Sequence, residues 1–117
     1  MELEQLTKRL IEFRDARDWQ QFHNLKDLII SLNLEAAEVL ELTQWKNAEQ
    51  FEQSLLNEKQ LSRLKEECAD VLSYLLLIAE RAGIDLAQAT NEKIDANKRK
   101  YPVEKARGNA LKYDQLK

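Results

Sequence analysis

The first 82 residues of this chain contain neither glycine nor proline, and this feature limits most strongly how the chain can fold. The two glycines and the single proline lie further on, at Gly83, Gly108 and Pro102. Both residue types interrupt helices, whereas Leu, Ala, Glu, Lys and Gln, which dominate the composition, favour them. The sequence therefore predicts an all-α protein.

Apolar residues recur at intervals of three and four positions, which is typical of helices with one apolar face. This pattern predicts four helices, at roughly 2–18, 25–45, 58–82 and 85–100. Gly83 is a usual residue just past a helix end, and Asp85 with Gln88 resembles a capping box that opens the next helix. Residues 46–57 are more polar and are predicted to form a connector with at most a helical turn.

Helices joined by such short connections favour a four-helix bundle. A chain of 117 residues is enough for one domain with a modest core. We expect this domain over residues 1–102, followed by a tail, 103–117, that packs on the domain or on a neighbouring subunit. The second and third predicted helices are apolar on all sides, and one small domain cannot bury them alone. We therefore expect a homo-oligomer, either a tetramer or a dimer.

Charge and composition exclude several classes of protein. Residues 93–117 carry eight basic and three acidic residues, whereas residues 1–92 carry ten and eighteen, so a basic end follows an acidic body. An acidic body argues against a nucleic acid polymer as partner, while the basic end fits either a solvated helix end or phosphate contacts.

We expect no membrane association, because no apolar run is long enough to span a bilayer. The single cysteine and the absence of a secretory signal pattern fit the cytoplasm.

Four carboxylates stand out because they lie on the two most apolar predicted helices. Glu35 and Glu38 are three residues apart on the second, and Glu67 and Asp70 repeat that spacing on the third. Residues with this spacing share a helix face, and ionised carboxylates are rarely buried unless they are paired or bind a metal. If the two helices face each other, the four side chains form a site of hard oxygen ligands, which suits Mg²⁺.

An alternative is that these carboxylates are solvent-facing side chains, which we expect for Glu41 and Glu66. The repeated spacing on two apolar helices favours the metal site. A ferritin-like di-iron site is excluded because it needs Glu-x-x-His pairs, and the single histidine, His23, has no glutamate three residues before it. Cys68 lies among the carboxylates on an apolar helix, and we predict that it is a small buried hydrophobe.

The paired motifs Glu35-x-x-Glu38 and Glu67-x-x-Asp70 resemble the metal-binding signature of the MazG-like, all-α nucleoside triphosphate pyrophosphohydrolases. The dCTP pyrophosphatase branch of that family is similar in further stretches: RDWQQFH (17–23), Trp45, KIDANKRKYP (93–102) and ARGNALKY (106–113). The resemblance covers nearly the whole chain. It implies an all-α oligomer, Mg²⁺ (with Mn²⁺ as a substitute) and hydrolysis of a nucleoside triphosphate to the monophosphate and pyrophosphate.

The resemblance also implies a base-binding site at Trp19, Phe22 and His23, since aromatic rings stack on bases and polar groups recognise their edges. Without it, these residues would be predicted to pack the turn between two helices. Tyr74 lies one turn after Asp70 on the same face, and the branch has a substrate-contacting tyrosine there. Trp45, at the end of the second predicted helix, fits either packing in the core or at an interface, or base stacking.

Three residues, two lysines and one asparagine, are candidates for phosphate contacts. Lys93 and Asn97 are four residues apart on one helical face, which fits either a solvated face or a phosphate-binding pair; Lys26 is a weaker candidate. Leu10 occupies the position at which the branch often has a histidine. This difference predicts that the protein accepts a wider range of deoxynucleoside triphosphates.

The leading hypothesis is a house-cleaning hydrolase that prefers dCTP. Glu35, Glu38, Glu67 and Asp70 would bind the metal, and Glu38 is favoured as the general base. The alternative is a non-catalytic helical oligomer that binds nucleotide or a protein partner. Such a protein would not need the four carboxylates together.

Overall fold

The computed structural model describes residues 2–116, which form helices joined by short turns, with no β-strand in that range. The all-α prediction is therefore confirmed. The α-helices of this range are α1 (Leu3–Ala16), α2 (Leu25–Glu41), α3 (Ala48–Ser54), α4 (Glu58–Ala82), α5 (Leu86–Lys100) and α6 (Val103–Ala106). Short 3-10 turns lie at Gln20–Phe22 and Tyr113–Gln115. None of the helices between residues 2 and 116 is long and apolar enough to cross a membrane.

Side-chain caps determine where several helices begin. The side chain of Asn24 accepts a hydrogen bond from the Asp27 amide at the start of α2, at 2.9 Å. The Asp85 carboxylate accepts one from the Gln88 amide at 3.1 Å, and this cap confirms the predicted start of α5. Such caps satisfy backbone N–H groups that have no partner within the helix. At the end of α4, Gly83 has the left-handed φ of 70° that favours glycine.

The predicted connector at 46–57 contains more structure than the expected turn. It includes the seven-residue helix α3. Asn47 accepts a hydrogen bond from the Gln50 amide at 2.8 Å, and the Gln50 side chain accepts one from the Asn47 amide at 2.9 Å. This reciprocal capping box explains how a polar segment begins a helix.

The chain divides into two compact units, one ending at Gly83 and one beginning at Ile84. In the first unit, α4 packs along α2 and also contacts α1. The buried apolar residues all belong to this unit: Leu28, Leu42, Leu76, Leu77 and Ala79. The second unit contains α5, α6 and the last 3-10 turn, so the predicted tail is partly helical.

The helices of the first unit also leave large apolar side chains exposed. On α2, Leu34 and Leu40 are 62% and 67% exposed. On α4, Leu61 and Leu72 are exposed, and Cys68 lies seven residues after the first and four before the second, so the three share a face. The prediction that Cys68 is buried is therefore wrong, because its face of α4 is an exposed one.

Candidate functional site

The packing of α2 against α4 brings the four predicted carboxylates together. Glu35 and Glu38 project from α2, and Glu67 and Asp70 project from α4. One carboxylate oxygen from each residue lies within 4.8 Å of those of the other three. Each pair faces the other helix because an i, i+3 spacing keeps both of its members on one helix face.

Two of these carboxyl groups are only partly exposed, and each has one buried oxygen that lacks a hydrogen-bond partner. The Oε2 atoms of Glu35 and Glu67 are buried with no partner among the described residues. Burial raises the pKa of Glu35, and a hydrogen-bonding contact with Glu38 and the charges of Glu38, Asp70 and Glu67 raise it further. Each of these effects opposes ionisation.

The pKa of Glu67 is also raised, first by a hydrogen-bonding contact with Glu38, then by burial and by the charges of Glu38 and Asp70. Arg63 opposes this rise without cancelling it. Glu38 thus contacts both of the less exposed carboxyls. Among residues 2–116, no lysine, arginine or histidine forms a salt bridge with any of the four carboxylates.

A divalent cation fits this arrangement. Oxygens on opposite sides of one Mg²⁺ ion are about 4.2 Å apart, given a metal–oxygen distance of about 2.1 Å. The cluster, with a spread of 4.8 Å, therefore needs only small side-chain rotations to surround an ion. Unpartnered carboxylate oxygens are available as ligands at no cost in broken hydrogen bonds.

A cavity of about 290 Å³ lies beside the cluster, and Asp70 belongs to both. Its volume is near the lower end of the range for small-molecule sites, roughly 300–1,000 Å³. On one side, α1 and the turn after it contribute Leu10, Phe13, Arg14, Trp19 and His23. On the other, α4 contributes Asp70, Ser73, Tyr74 and Leu77.

The aromatic wall of the cavity depends on how α1 ends. Asp18 takes a left-handed φ of 54°, and the Trp19 amide donates a hydrogen bond to the Arg14 carbonyl at 3.1 Å. This turn places the Trp19 ring edge-to-face against Phe13, with ring centroids 5.7 Å apart at 77°. Such a pair is a favoured aromatic geometry. Trp19 remains 44% exposed, so part of the indole is free to contact a ligand.

His23 contributes a polar group to the cavity. Its Nδ1 atom is buried and has no hydrogen-bond partner within residues 2–116. Burial lowers the pKa of His23, and the nearby charge of Arg14 lowers it further. The imidazole is therefore neutral near pH 7, and its two nitrogens can respectively donate and accept a hydrogen bond.

Arg14 was not anticipated from the sequence. It is only 7% exposed, although it carries a full charge. A signal was present, because Arg14 lies four residues after Leu10 and so falls on the apolar face of α1. A charged residue on the apolar face of a helix is a candidate for a binding or catalytic site.

The other predicted substrate residues occupy different places. Tyr74 lines the cavity together with Trp19 and His23. Phe22 is 63% exposed and Lys26 is also exposed, and neither lines the cavity. Trp45 is 97% exposed and has a left-handed φ of 64°, so the alternative that it packs in the core of this chain is wrong. Lys93 and Asn97 lie on α5, in the second unit.

Comparisons with known proteins agree with this geometry. The MazG-like family model matches residues 30–116. The chain is 40% identical to bovine (Bos taurus) dCTP pyrophosphatase 1 over 97% of its own length and 68% of the relative's. It is 38% identical to the human (Homo sapiens) dCTP pyrophosphatase 1, over 97% of its own length and 67% of that protein.

A solved structure is similar as well. The crystal structure of a pyrophosphatase from Archaeoglobus fulgidus superposes with a TM-score of 0.78 and 41% identity, covering 85% of this chain and 91% of that one. These relatives are enzymes, which argues against the non-catalytic alternative. The chain belongs to the MazG-like family and is a nucleotide diphosphatase similar to the dCTP pyrophosphatases.

Proposed function

We propose that this enzyme is a Mg²⁺-dependent pyrophosphohydrolase that prefers dCTP and releases dCMP and pyrophosphate. The main support for the proposal is that Asp70 belongs both to the carboxylate cluster and to the lining of the aromatic cavity. A nucleotide has a matching layout, with anionic phosphates at one end and a flat base at the other. The similarity to the bovine and human dCTP pyrophosphatases supports dCTP as the preferred substrate.

Glu35, Glu38, Glu67 and Asp70 would hold the metal, as Mg²⁺ or with Mn²⁺ as a substitute. When bound, such an ion neutralises phosphate charge and orients the attacking water. The carboxylates themselves repel a triphosphate, so the site favours substrate only when the cluster is neutralised. The unpartnered oxygens of Glu35 and Glu67 supply ligands that are already desolvated.

Glu38 is the proposed general base. It is more exposed than Glu35 and Glu67, and it contacts both of them. An exposed carboxylate at the centre of the cluster can reach a water molecule and accept its proton. Its two neighbours would remain as ligands while Glu38 takes up that proton.

The aromatic cavity would hold the nucleoside. Trp19 offers an open ring surface for stacking on the base, and the neutral His23 can hydrogen-bond to the base edge. Tyr74, one turn after Asp70, would contact the nucleotide between base and phosphates. The remaining candidates stay proposals from the sequence: Phe22 and Trp45 for the base, and Lys26, Lys93 and Asn97 for the phosphates.

The exposed apolar faces of α2 and α4 support a homo-oligomer. We propose that copies of the MazG-like four-helix bundle associate through these faces, with a catalytic domain over residues 1–102 and a tail that packs on this domain or on a neighbour. Contiguous apolar patches larger than a few hundred Å² usually mark interfaces. Light scattering at micromolar concentration should give the mass of a dimer or a tetramer. A monodisperse monomer would refute the assembly.

The test of the activity is a panel of the common ribo- and deoxyribonucleoside triphosphates with Mg²⁺, in which pyrophosphate and orthophosphate are measured separately. We expect pyrophosphate as the first product, the highest kcat/KM for dCTP, and no turnover in excess chelator. Orthophosphate as the first product would contradict the reaction class. Equal kcat/KM for every nucleotide would contradict a base-selective cavity.

A further inference from the structure

Arg14 has more hydrogen-bonding capacity than its protein partners use. It is the single charged side chain that is buried among residues 2–116. Its Nε donates to Asp15 Oδ1 at 2.9 Å. Its Nη1 lies 3.6 Å from Glu80 Oε2, which is too long for a hydrogen bond. The Nη groups of Arg14 form no hydrogen bond among residues 2–116, yet they are not fully enclosed, so their N–H donors remain accessible to water or to a ligand.

The position of Arg14 suggests where those donors are used. Its side chain lines the same cavity as Trp19 and His23. Its carbonyl accepts the Trp19 amide at 3.1 Å, so the backbone fixes the indole next to Arg14. Leu10, one turn earlier on the same face, also lines the cavity and offers no polar group. Within the cavity, Arg14 is therefore the polar group supplied by α1.

We propose that Arg14 selects the base by donating hydrogen bonds to two adjacent acceptors on its edge, the O2 and N3 atoms of cytosine. A guanidinium carries five N–H donors in a planar fork and no acceptor. It therefore suits an edge on which two acceptors lie side by side. Uracil and thymine have an N–H donor at N3, which faces the fork with the wrong polarity. This assignment rests on the proposed function, and it adds the residue that makes the cavity selective for cytosine.

The competing explanation is purely structural. In that case Arg14 serves only to pair with Asp15 and Glu80 and thereby joins α1 to α4. The two explanations predict different effects of Arg14 substitutions on nucleotide binding. A structural ion pair affects all nucleotides alike, whereas a base-selecting residue affects their ratio.

The experiment measures binding of three monophosphates by calorimetry, so that hydrolysis does not enter. The ligands are dCMP, dUMP and the deoxynucleotide of pyrimidin-2-one, which keeps O2 and N3 but lacks the amino group. We expect wild type to bind dCMP and the pyrimidin-2-one nucleotide with similar affinity, and dUMP roughly tenfold to a hundredfold more weakly, as for a bidentate arginine–base pair. Arg14→Gln should bring the three affinities close together.

Matched variants separate selection from folding. Arg14→Lys keeps a cation for Glu80 but not the planar fork, so it should fold and still lose most of the preference for dCMP over dUMP. If Arg14→Gln does not fold, the binding measurements on Arg14→Lys alone test the proposal. Glu80→Gln removes the ion-pair partner and should keep the preference, as should Arg9→Gln on the exposed side of α1.

Several results would overturn the assignment. An unchanged preference in Arg14→Lys and Arg14→Gln would do so, as would loss of the preference in Glu80→Gln. Binding of the pyrimidin-2-one nucleotide by wild type as weakly as dUMP would show that the amino group is recognised instead. Failure of the proposed function is seen separately, as an absence of pyrophosphate release from any triphosphate by wild type.

Discussion

The carboxylate cluster and the aromatic cavity share Asp70, yet they are built from different kinds of structure. Every carboxylate of the cluster projects from the middle of a long helix, α2 or α4. The cavity instead depends on the end of α1 and the turn that follows it, where Asp18 has a left-handed backbone. The cluster consists of four carboxylates that form no salt bridge among residues 2–116, whereas the cavity is lined by aromatic rings and by the buried cation Arg14.

This difference in construction suits the two parts of a nucleotide. Phosphate chemistry needs ligands held in fixed positions, since small displacements slow a reaction strongly, and regular helices fix side-chain positions well. A base is recognised through stacking on its face and hydrogen bonds to its edge. A turn can direct both an aromatic ring and polar groups into the same cavity. Changes to the cluster should therefore act on turnover, and changes to the cavity should act on affinity.

The largest expected effect follows from changing the residue that both regions share. Asp70→Asn removes a proposed metal ligand but keeps the shape of the cavity wall. We expect kcat to fall by at least about two powers of ten, because a misplaced ion no longer aligns water and phosphate. Mg²⁺ should raise the melting temperature of wild type by binding the native state, and do so much less for Asp70→Asn.

The matched control for that experiment is Glu66→Gln, an exposed carboxylate on the same helix and outside the cluster. It should keep normal turnover and the normal Mg²⁺-induced shift in melting temperature. If Asp70→Asn behaved like Glu66→Gln in both measurements, the proposed metal site would be wrong.

A smaller effect is expected from the cavity. Trp19→Ala should raise KM with a modest change in kcat, since loss of a stacked base costs roughly 1–3 kcal/mol. Phe22→Ala offers a direct comparison, because Phe22 is 63% exposed and does not line the cavity. Steady-state kinetics with dCTP should therefore show a much larger rise in KM for Trp19→Ala. Equal rises for both variants would mean that the nucleotide binds elsewhere along this segment.

The cluster could be predicted from the sequence because helices obey a simple periodicity. Glu35 and Glu38 needed only their spacing and an apolar setting to be paired with Glu67 and Asp70, and the packing of α2 on α4 then brought the pairs together. The start of α5 at Asp85 followed equally local rules. In each case the information lies within four residues along the chain.

The cavity could be predicted only in part because its geometry is not periodic. The sequence drew attention to Trp19, Phe22 and His23 as a group, but the turn after α1 directs only Trp19 and His23 into the cavity. The contribution of Arg14 depends on tertiary burial, which spacing alone does not give. Cys68 shows the same limit, because an apolar helix has more than one apolar face and only packing decides which is buried.

The smallest expected effect concerns the stability of the metal-free protein. The raised pKa values of Glu35 and Glu67 mean that the native state binds more protons than the unfolded chain at pH values above their ordinary pKa of 4.5. The free energy of unfolding therefore falls as pH rises from 4.5 through the raised pKa values, and is level above them. In chelator, this loss is the cost of ionising carboxyls that lie against one another.

Glu35→Gln removes one titrating group from the cluster while keeping its shape. In chelator near neutral pH, we expect this variant to melt at a higher temperature than wild type, because one source of repulsion is gone. The difference should shrink as pH is lowered towards 4.5, where the Glu35 carboxyl of wild type is increasingly protonated. Adding Mg²⁺ at neutral pH should reverse the order, since of these two proteins only wild type has all four proposed ligands. Glu66→Gln, measured in parallel, should show neither the pH-dependent difference nor the reversal. A Glu35→Gln protein that melted below wild type in chelator across this pH range would mean that Glu35 stabilises the fold through a contact of its own, and that the cluster is not strained in the absence of a cation.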